Sequence, residues 1–239
     1  VGTSGAYLFE SAVPGGAIIK NAGVTAVTVS ATHRRQGLLN GMMGRLLRQE
    51  REKGQPVASL WASESIIYGR FGYGISIQHE NFLIDTRKAA IKHMPPVEGK
   101  IRFVVPDEAR KLLPEAWEAA VMSHAGVPRR SEAFWDGYML RFGESSDGWS
   151  KPFVVVYEED GKALGYAKYM VKELHLFGEQ VHGLLNADDV IHSTPASHAA
   201  LWNHLLNVDL YDTLSTWRSP SDDSLPWMLV DQRQLERKP

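Results

Sequence analysis

Cysteine is absent from the 239-residue chain, which removes disulfide frameworks, thiol nucleophiles and cysteine-ligated zinc. The absence accords with a reducing cytoplasm, the compartment expected here. A basic excess is missing as well. With a formal net charge of -2 at pH 7 there is no positive surplus to displace counterions, so nucleic acid is not an expected partner. No apolar run is long enough to span a bilayer and no signal peptide is recognisable, so no membrane partner is expected either. Short repeats and low-complexity tracts are lacking. So are a P-loop, a dinucleotide fingerprint and a nucleophile elbow. The first residue is Val1 rather than methionine, and the chain is expected to be an incomplete or processed one.

What remains is an ordinary globular composition, 44% hydrophobic and 23% charged, long enough for one large domain or two small ones. Ala6–Val13 and Ala17–Lys20 read as strands joined by the Pro14-Gly15-Gly16 turn, with a second break at Asn21–Gly23 before the strand Val24–Val29. Leu38–Lys53 is a helix: Leu38/Leu39, Met42/Met43 and Leu46/Leu47 repeat every four residues as one apolar stripe. Arg45, Arg48, Glu50 and Arg51 are expected to face away from it, and Gly54 to terminate it. Pro56–Trp61 is a short buried strand, Ser63 a cap, Ile66–Phe71 a short helix broken at Gly72-Tyr73-Gly74, and Ile75–Asp85 a strand. Alternation of strand and helix signals an α/β unit.

Residues 87–100, with Pro95-Pro96 and Gly99, are the best linker candidate, which divides the chain into domains at 1–86 and 101–239. The pattern then restarts: strand Ile101–Val105, helix Glu108–His124 behind Asp107, amphipathic helix Ser131–Phe142 and a loop over 143–150. A hairpin follows, Pro152–Tyr157 and Ala163–Lys172 about Asp160-Gly161. Val181–Val190 is a strand, Thr194 and Pro195 start a helix, and Leu210–Trp217 and Trp227–Val230 are closing strands. The second half echoes the first coarsely.

The stretch that organises this reading is Val27–Gly37, VTVSATHRRQG. A strand hands over to a glycine that opens a helix, where orphan N–H groups and the positive helix end favour a phosphate. Arg34 and Arg35 add charge-assisted contacts. Alone, this turn reads equally as a solvated helix start. Context separates the two readings: Trp61-Ala62-Ser63-Glu64 and Tyr68-Gly69-Arg70-Phe71-Gly72-Tyr73 follow about two dozen residues later.

The combination resembles the GNAT acetyltransferase superfamily, whose Arg/Gln-x-x-Gly-x-Gly/Ala turn binds the coenzyme A pyrophosphate. Leu39 stands where that motif usually has a small residue. The run VTAVTVSATHRRQGLLNGMM with ASESIIYGRFGYG is similar to the Eis (enhanced intracellular survival) branch. So is the late segment from Thr194-Pro195 through Asp222-Asp223-Ser224-Leu225-Pro226-Trp227. The resemblance implies an α/β (α+β) fold of two tandem GNAT-like mixed-sheet domains, the first incomplete at its N-terminus, the second degenerate and lacking the basic turn.

It further implies an acetyl-CoA-dependent N-acetyltransferase. Val27, Thr28 and Val29 would pair with the pantetheine arm. Arg34, Arg35, Gln36, Gly37, Leu38, Leu39 and Asn40 would cradle the pyrophosphate, and Ser63 and Glu64 would line the arm. Tyr68 would be the catalytic acid on the leaving thiolate. A phenol of pKa ~10 protonates a thiol of free pKa ~8.5 only when position or hydrogen bonding helps. Tyr73 reads as a core aromatic. The acceptor is an amine, aminoglycoside-like or a protein lysine, and the assembly a homo-oligomer. The branch takes its base from the carboxylate of a further sterol-carrier-like domain, which is not found here; Glu64 is the fallback. The fragment is therefore expected to bind acetyl-CoA weakly and turn over poorly.

Two other classes stay open: a coenzyme A binding or assembly module without turnover, and a phosphate- or nucleotide-binding regulator. No metal is expected. The nine histidines are scattered, and His198 and His204, six apart, do not share a helix face. Asp188-Asp189 and Asp222-Asp223 read as solvated loop ends, and Trp117, Trp135, Trp202 and Trp227 as core.

Overall fold

In the computed structural model, which describes residues 1–122, 124–140, 147–174 and 182–238, with Tyr138 and His182 described by backbone alone, the chain divides into two units. The first is Val1–Ile77 with Met122–Glu132; the second is Gln78–Val121 with the chain from Ala133 on. The boundary expected at residue 86 therefore falls earlier. The stretch expected as a linker is stitched into the second unit: Lys92 donates to the Met228 carbonyl, Val230 to the Ala90 carbonyl and Gly99 to the Tyr157 hydroxyl.

The first unit begins with a long antiparallel hairpin, β1 (Gly2–Ala12) and β2 (Ile18–Val29). The helix α1 (Leu38–Glu52) follows, then β3 (Val57–Leu60), which pairs parallel with β2. A two-residue strand seen later in the chain, Pro128–Arg129, completes the sheet on the outer side of β1. The core is small: Val24, Met43 and Leu46 are buried, and Ala6, Val27, Leu39, Leu60, Tyr68, Phe71 and Tyr73 pack against them.

The break expected at Asn21–Gly23 does not form, and β2 runs through it. Asn21 is buried, and its amide donates to the hydroxyl of Ser11 on β1 at 2.8 Å and of Ser59 on β3 at 2.9 Å. Gly23 is small because a Cβ there would lie 2.3 Å from the Phe9 ring. Turn-type residues serve strand packing instead. Glu50 is also buried rather than outward, one carboxylate oxygen held by Lys53 at 2.7 Å and the other unpaired among the described residues.

The second unit is built on a mixed sheet of eight strands among the described residues. Its hairpin is β7 (Phe153–Glu159) and β8 (Lys162–Leu174), turning at Asp160-Gly161. Strand β9 (His182–His192) pairs antiparallel with β8 and parallel with β10 (Thr213–Thr216), and α4 (Pro195–Leu206) lies between β9 and β10 in sequence. The strand expected over Ile75–Asp85 starts only at His79; as β4 (His79–Asp85) it joins this sheet beside β10. Strand β5 (Lys100–Phe103) and the helix α2 (Pro106–Val121) precede the hairpin. Trp202, Tyr157, Phe82, Leu201 and Leu214 centre the core.

Three further expectations change. Trp227–Val230 opens inside a short helix, α5 (Leu225–Met228), not a strand, and Trp227 is 70% exposed. The helix expected over Ser131–Phe142 is one α-turn (Glu132–Phe134) continued as a π-turn (Trp135–Met139); its last two residues lie outside the described residues. Leu210–Trp217 shortens to β10.

Asn21 ties β1, β2 and β3 at one point, so Asn21→Ala removes two buried hydrogen bonds worth about 1 kcal/mol each. Amide exchange is expected to accelerate in residues 21–24 and 57–60 while the second unit is unchanged. Uniform acceleration across both units would show that the clamp is not local.

Candidate functional site

The relevant geometry lies where β2 meets α1. Pairing between β2 and β3 ends at Val24↔Leu60, yet β2 continues to Val29, held there only by β1. Val27, Thr28 and Val29 thus have one edge without a strand partner among the described residues. Ala26, in the left-handed region at φ 51°, sits at the irregularity where the β1 register shifts between Thr3 and Gly5. Such a bulge re-aims a strand.

A short 3-10 turn (Ala31–His33) leads to Arg34 in extended backbone and Arg35 in the left-handed region at φ 62°. A non-glycine residue in that region stores strain, a pattern that clusters at ligand sites. Gly37, at φ 80°, is the N-cap of α1, and no side chain caps the helix. The first-turn N–H groups of Leu38, Leu39 and Asn40 have no intrahelical acceptor by helix geometry. Arg34, Arg35, Gln36 and Gly37 are exposed, neither arginine forms an ion pair among the described residues, and nothing lies within 4 Å of where a Gly37 Cβ would be. Uncapped N–H groups, two free guanidinium groups and open space make an anion cradle.

Val27 of β2, Leu39 of α1 and Tyr68 of the 3-10 helix Ser65–Phe71 pack on the same small core. The structure thus brings strand edge, turn and tyrosine together. Tyr68 is half-buried and meets Tyr73 edge-on, ring centroids 5.9 Å apart. Its hydroxyl makes no hydrogen bond among the described residues. The Tyr73 hydroxyl is buried without a partner there, and burial, then the neighbouring Tyr68, pushes its phenol up to about 12. So weak an acid suits packing better than proton transfer. Ser63 and Glu64 are exposed on the stretch after β3, with no side-chain hydrogen bond among the described residues.

The second unit repeats the order of antiparallel strand pair, helix and parallel strand, with β8, β9, α4 and β10 in the places of β1, β2, α1 and β3. Its strand-to-helix corner is closed. Thr194 accepts from the Ser197 N–H while the Ser197 hydroxyl accepts from the Thr194 N–H, and Pro195 carries no N–H at all. The capping box occupies two backbone donors at this corner and proline removes a third.

Of the acidic pairs expected as solvated ends, Asp222 is exposed as expected, whereas Asp188, Asp189 and Asp223 are not. Asp188 and Asp189 lie within β9; burial pushes the Asp188 carboxyl up, and Asp189 accepts from the Tyr166 hydroxyl at 2.7 Å. Asp223 is buried against His198, 2.9 Å from its Nε2. Burial, the largest single influence, would raise its carboxyl; the hydrogen bond and charge of His198, the Leu225 N–H and the nearby His192 together hold it below the usual range. Burial lowers His204, whose Nε2 lies 3.1 Å from the Tyr169 hydroxyl. His192 joins His198 and Asp223, a grouping hidden in the sequence because its members come from a strand end, a helix and a loop.

Comparison with known proteins bears on this geometry. Residues 1–76 and residues 126–239 each match a family described as "Acetyltransferase (GNAT) domain". The chain is 38% identical over 237 residues to an uncharacterized N-acetyltransferase of Streptomyces avermitilis, covering 98% of this chain and 57% of that protein. It is 32% identical over 226 residues to N-acetyltransferase Eis of Mycobacterium bovis, covering 93% of this chain and 53% of the relative. The crystal structure of Eis1 from Mycobacterium abscessus superposes with a TM-score of 0.82 at 30% identity, covering 99% of this chain and 59% of that one. The chain thus spans about half the length of the curated relatives it matches.

Gly37→Ala tests the turn's backbone. With no neighbour to clash, the cost is that of a Cβ in the left-handed region, about 1–2 kcal/mol, read from urea unfolding of the first unit. No loss of stability would mean that the turn relaxes freely to another conformation.

Proposed function

Because this chain belongs to the GNAT acetyltransferase family, we propose that its first unit binds acetyl-CoA and transfers the acetyl group to a primary amine. The acceptor class is a small polyamine of the aminoglycoside kind or a protein lysine. The observation that carries the reading is the contrast between two corners of the same order: α1 left uncapped beside two unpaired arginines, α4 closed by its own side chains.

The residues fit the substrate part by part. The first-turn N–H groups of Leu38, Leu39 and Asn40, with Arg34 and Arg35, take the pyrophosphate; Gln36 and Gly37 shape the turn. The free edge of Val27, Thr28 and Val29 offers backbone donors and acceptors to the amide-bearing arm, as a strand would. Ser63 and Glu64, beyond the end of β3, border the arm. Acetyl-CoA supplies an activated acetyl group, and direct attack by the amine forms the C–N bond as the C–S bond breaks. Tyr68, its hydroxyl free, gives its proton to the departing sulfur; the amine must lose one, and Glu64 is the carboxylate of this site able to accept it.

Acetyl transfer from acetyl-CoA to a panel of polyamines and lysine peptides, followed by release of free thiol, tests the proposal. Arg34→Ala is expected to weaken acetyl-CoA binding about 10-fold at low salt, as loss of one charge-assisted hydrogen bond does. Tyr68→Phe is expected to lower kcat about 100-fold with acetyl-CoA affinity unchanged. Tight acetyl-CoA binding with no turnover against any amine would favour a binding module; equal affinity for ATP would favour a nucleotide-binding regulator.

A further inference from the structure

The closed corner of the second unit holds a group of side chains that acetyl transfer does not use. We propose that His192, His198 and Asp223 form a binding site for a divalent transition metal, with Zn2+ as the occupant it fits best. His192 ends β9, His198 stands in the first turn of α4, and Asp223 lies on the loop before α5. One donor atom from each lies within 4.8 Å of the other two, and no ion is present.

The spacing suits a metal. Donors at ~2.0–2.1 Å around a tetrahedral ion sit about 3.3 Å apart. His198 Nε2 and Asp223 Oδ1, at 2.9 Å, need separate by only a few tenths of an ångström. The rings of His192 and His198 are 4.2 Å apart and inclined at 69°, edge to face rather than stacked, and with all three donor atoms within 4.8 Å of one another His192 closes by at most about 1.5 Å to reach tetrahedral spacing. Two imidazoles and one carboxylate are a donor set for Zn2+ with a position left for water, and its nitrogen and oxygen donors match a chain without cysteine.

The surroundings hold these donors in place. His198 and Asp223 are 3% and 9% exposed, while His192 is only half-buried and leaves a path from solvent. Asp223 Oδ1 also accepts from the Leu225 N–H at 2.7 Å, and the Asp223 N–H donates to the Pro220 carbonyl at 3.2 Å, which fixes the carboxylate. The His198 ring rests edge-on near Trp202, 6.4 Å between centroids. Such outer contacts orient metal ligands. A bound ion would pin the loop carrying Asp223 to the strand end and helix start, and binding to the folded state alone would stabilise the unit.

The test uses the chain without an affinity tag, stripped with a chelator. Titration calorimetry is expected to show one Zn2+ bound per chain, Co2+ to give a visible absorption band that Zn2+ abolishes, and Zn2+ to raise the thermal midpoint. His192→Ala removes a half-buried ring, so the fold is expected to survive by circular dichroism while Zn2+ uptake and the Co2+ band are lost. A second variant, His198→Gln, is expected to do the same. Absence of Zn2+ uptake by the unsubstituted chain would overturn the proposal, leaving the hydrogen-bonded pair His198 and Asp223. Uptake undiminished in His192→Ala would overturn it equally.

Discussion

The first unit depends on one mismatch of length. Strand β3 stops at Leu60 opposite Val24, whereas β2 runs five residues further. Asn21 binds β1, β2 and β3 together three pairs before the opening. Beyond Val24 the strand partner of β2 among the described residues is β1, and its other edge keeps backbone groups that want partners. The proposed pyrophosphate turn lies on or just after this free edge: the bulge at Ala26, the strained Arg35, the left-handed Gly37 and the uncapped start of α1. A few apolar contacts through Val27, Leu39 and Tyr68 hold these parts on one core.

The second unit shows what the same order of elements does without those features. Its β9 and β10 also pair in parallel, and its α4 also follows a strand, but a capping box between Thr194 and Ser197 and the missing N–H of Pro195 satisfy or remove most of the donors at its start. An anion would have to displace a capping box to bind there. The difference between a helix start offered to a ligand and one closed for stability thus rests on a handful of residues, with Gly37 at one corner and Pro195 at the other. The open corner also carries two arginines without carboxylate partners, while the closed one carries two histidines and an aspartate. The ligands proposed for the two corners carry charges of opposite sign.

Much of this was legible in the sequence, for identifiable reasons. The apolar stripe through Met42, Met43 and Leu46 has a helical period, and Thr194-Pro195 is a helix start by local chemistry alone. The turn at Arg34–Gly37 was visible because glycine and arginine carry their roles locally. Misreadings arose where long-range contacts override local preference. Asn21 and Gly23 have turn chemistry but serve Ser11, Ser59 and Phe9, whose proximity only the sheet creates. The strand His79–Asp85 follows the first unit in sequence but joins the second unit's sheet. Asp223 looked solvated because its partner, His198, is twenty-five residues away in sequence. Glu50 looked outward because its charge, not its neighbours, was all that the sequence displayed.

In the proposed function the free β2 edge and the uncapped start of α1 receive acetyl-CoA as one surface. Hydrogen–deuterium exchange of the chain with and without acetyl-CoA reads that surface amide by amide. Protection confined to residues 27–29 and 36–40, with the capped start of α4 unchanged, is the predicted result. Protection at α4, or none at the β2–α1 turn under saturating acetyl-CoA, would contradict the account.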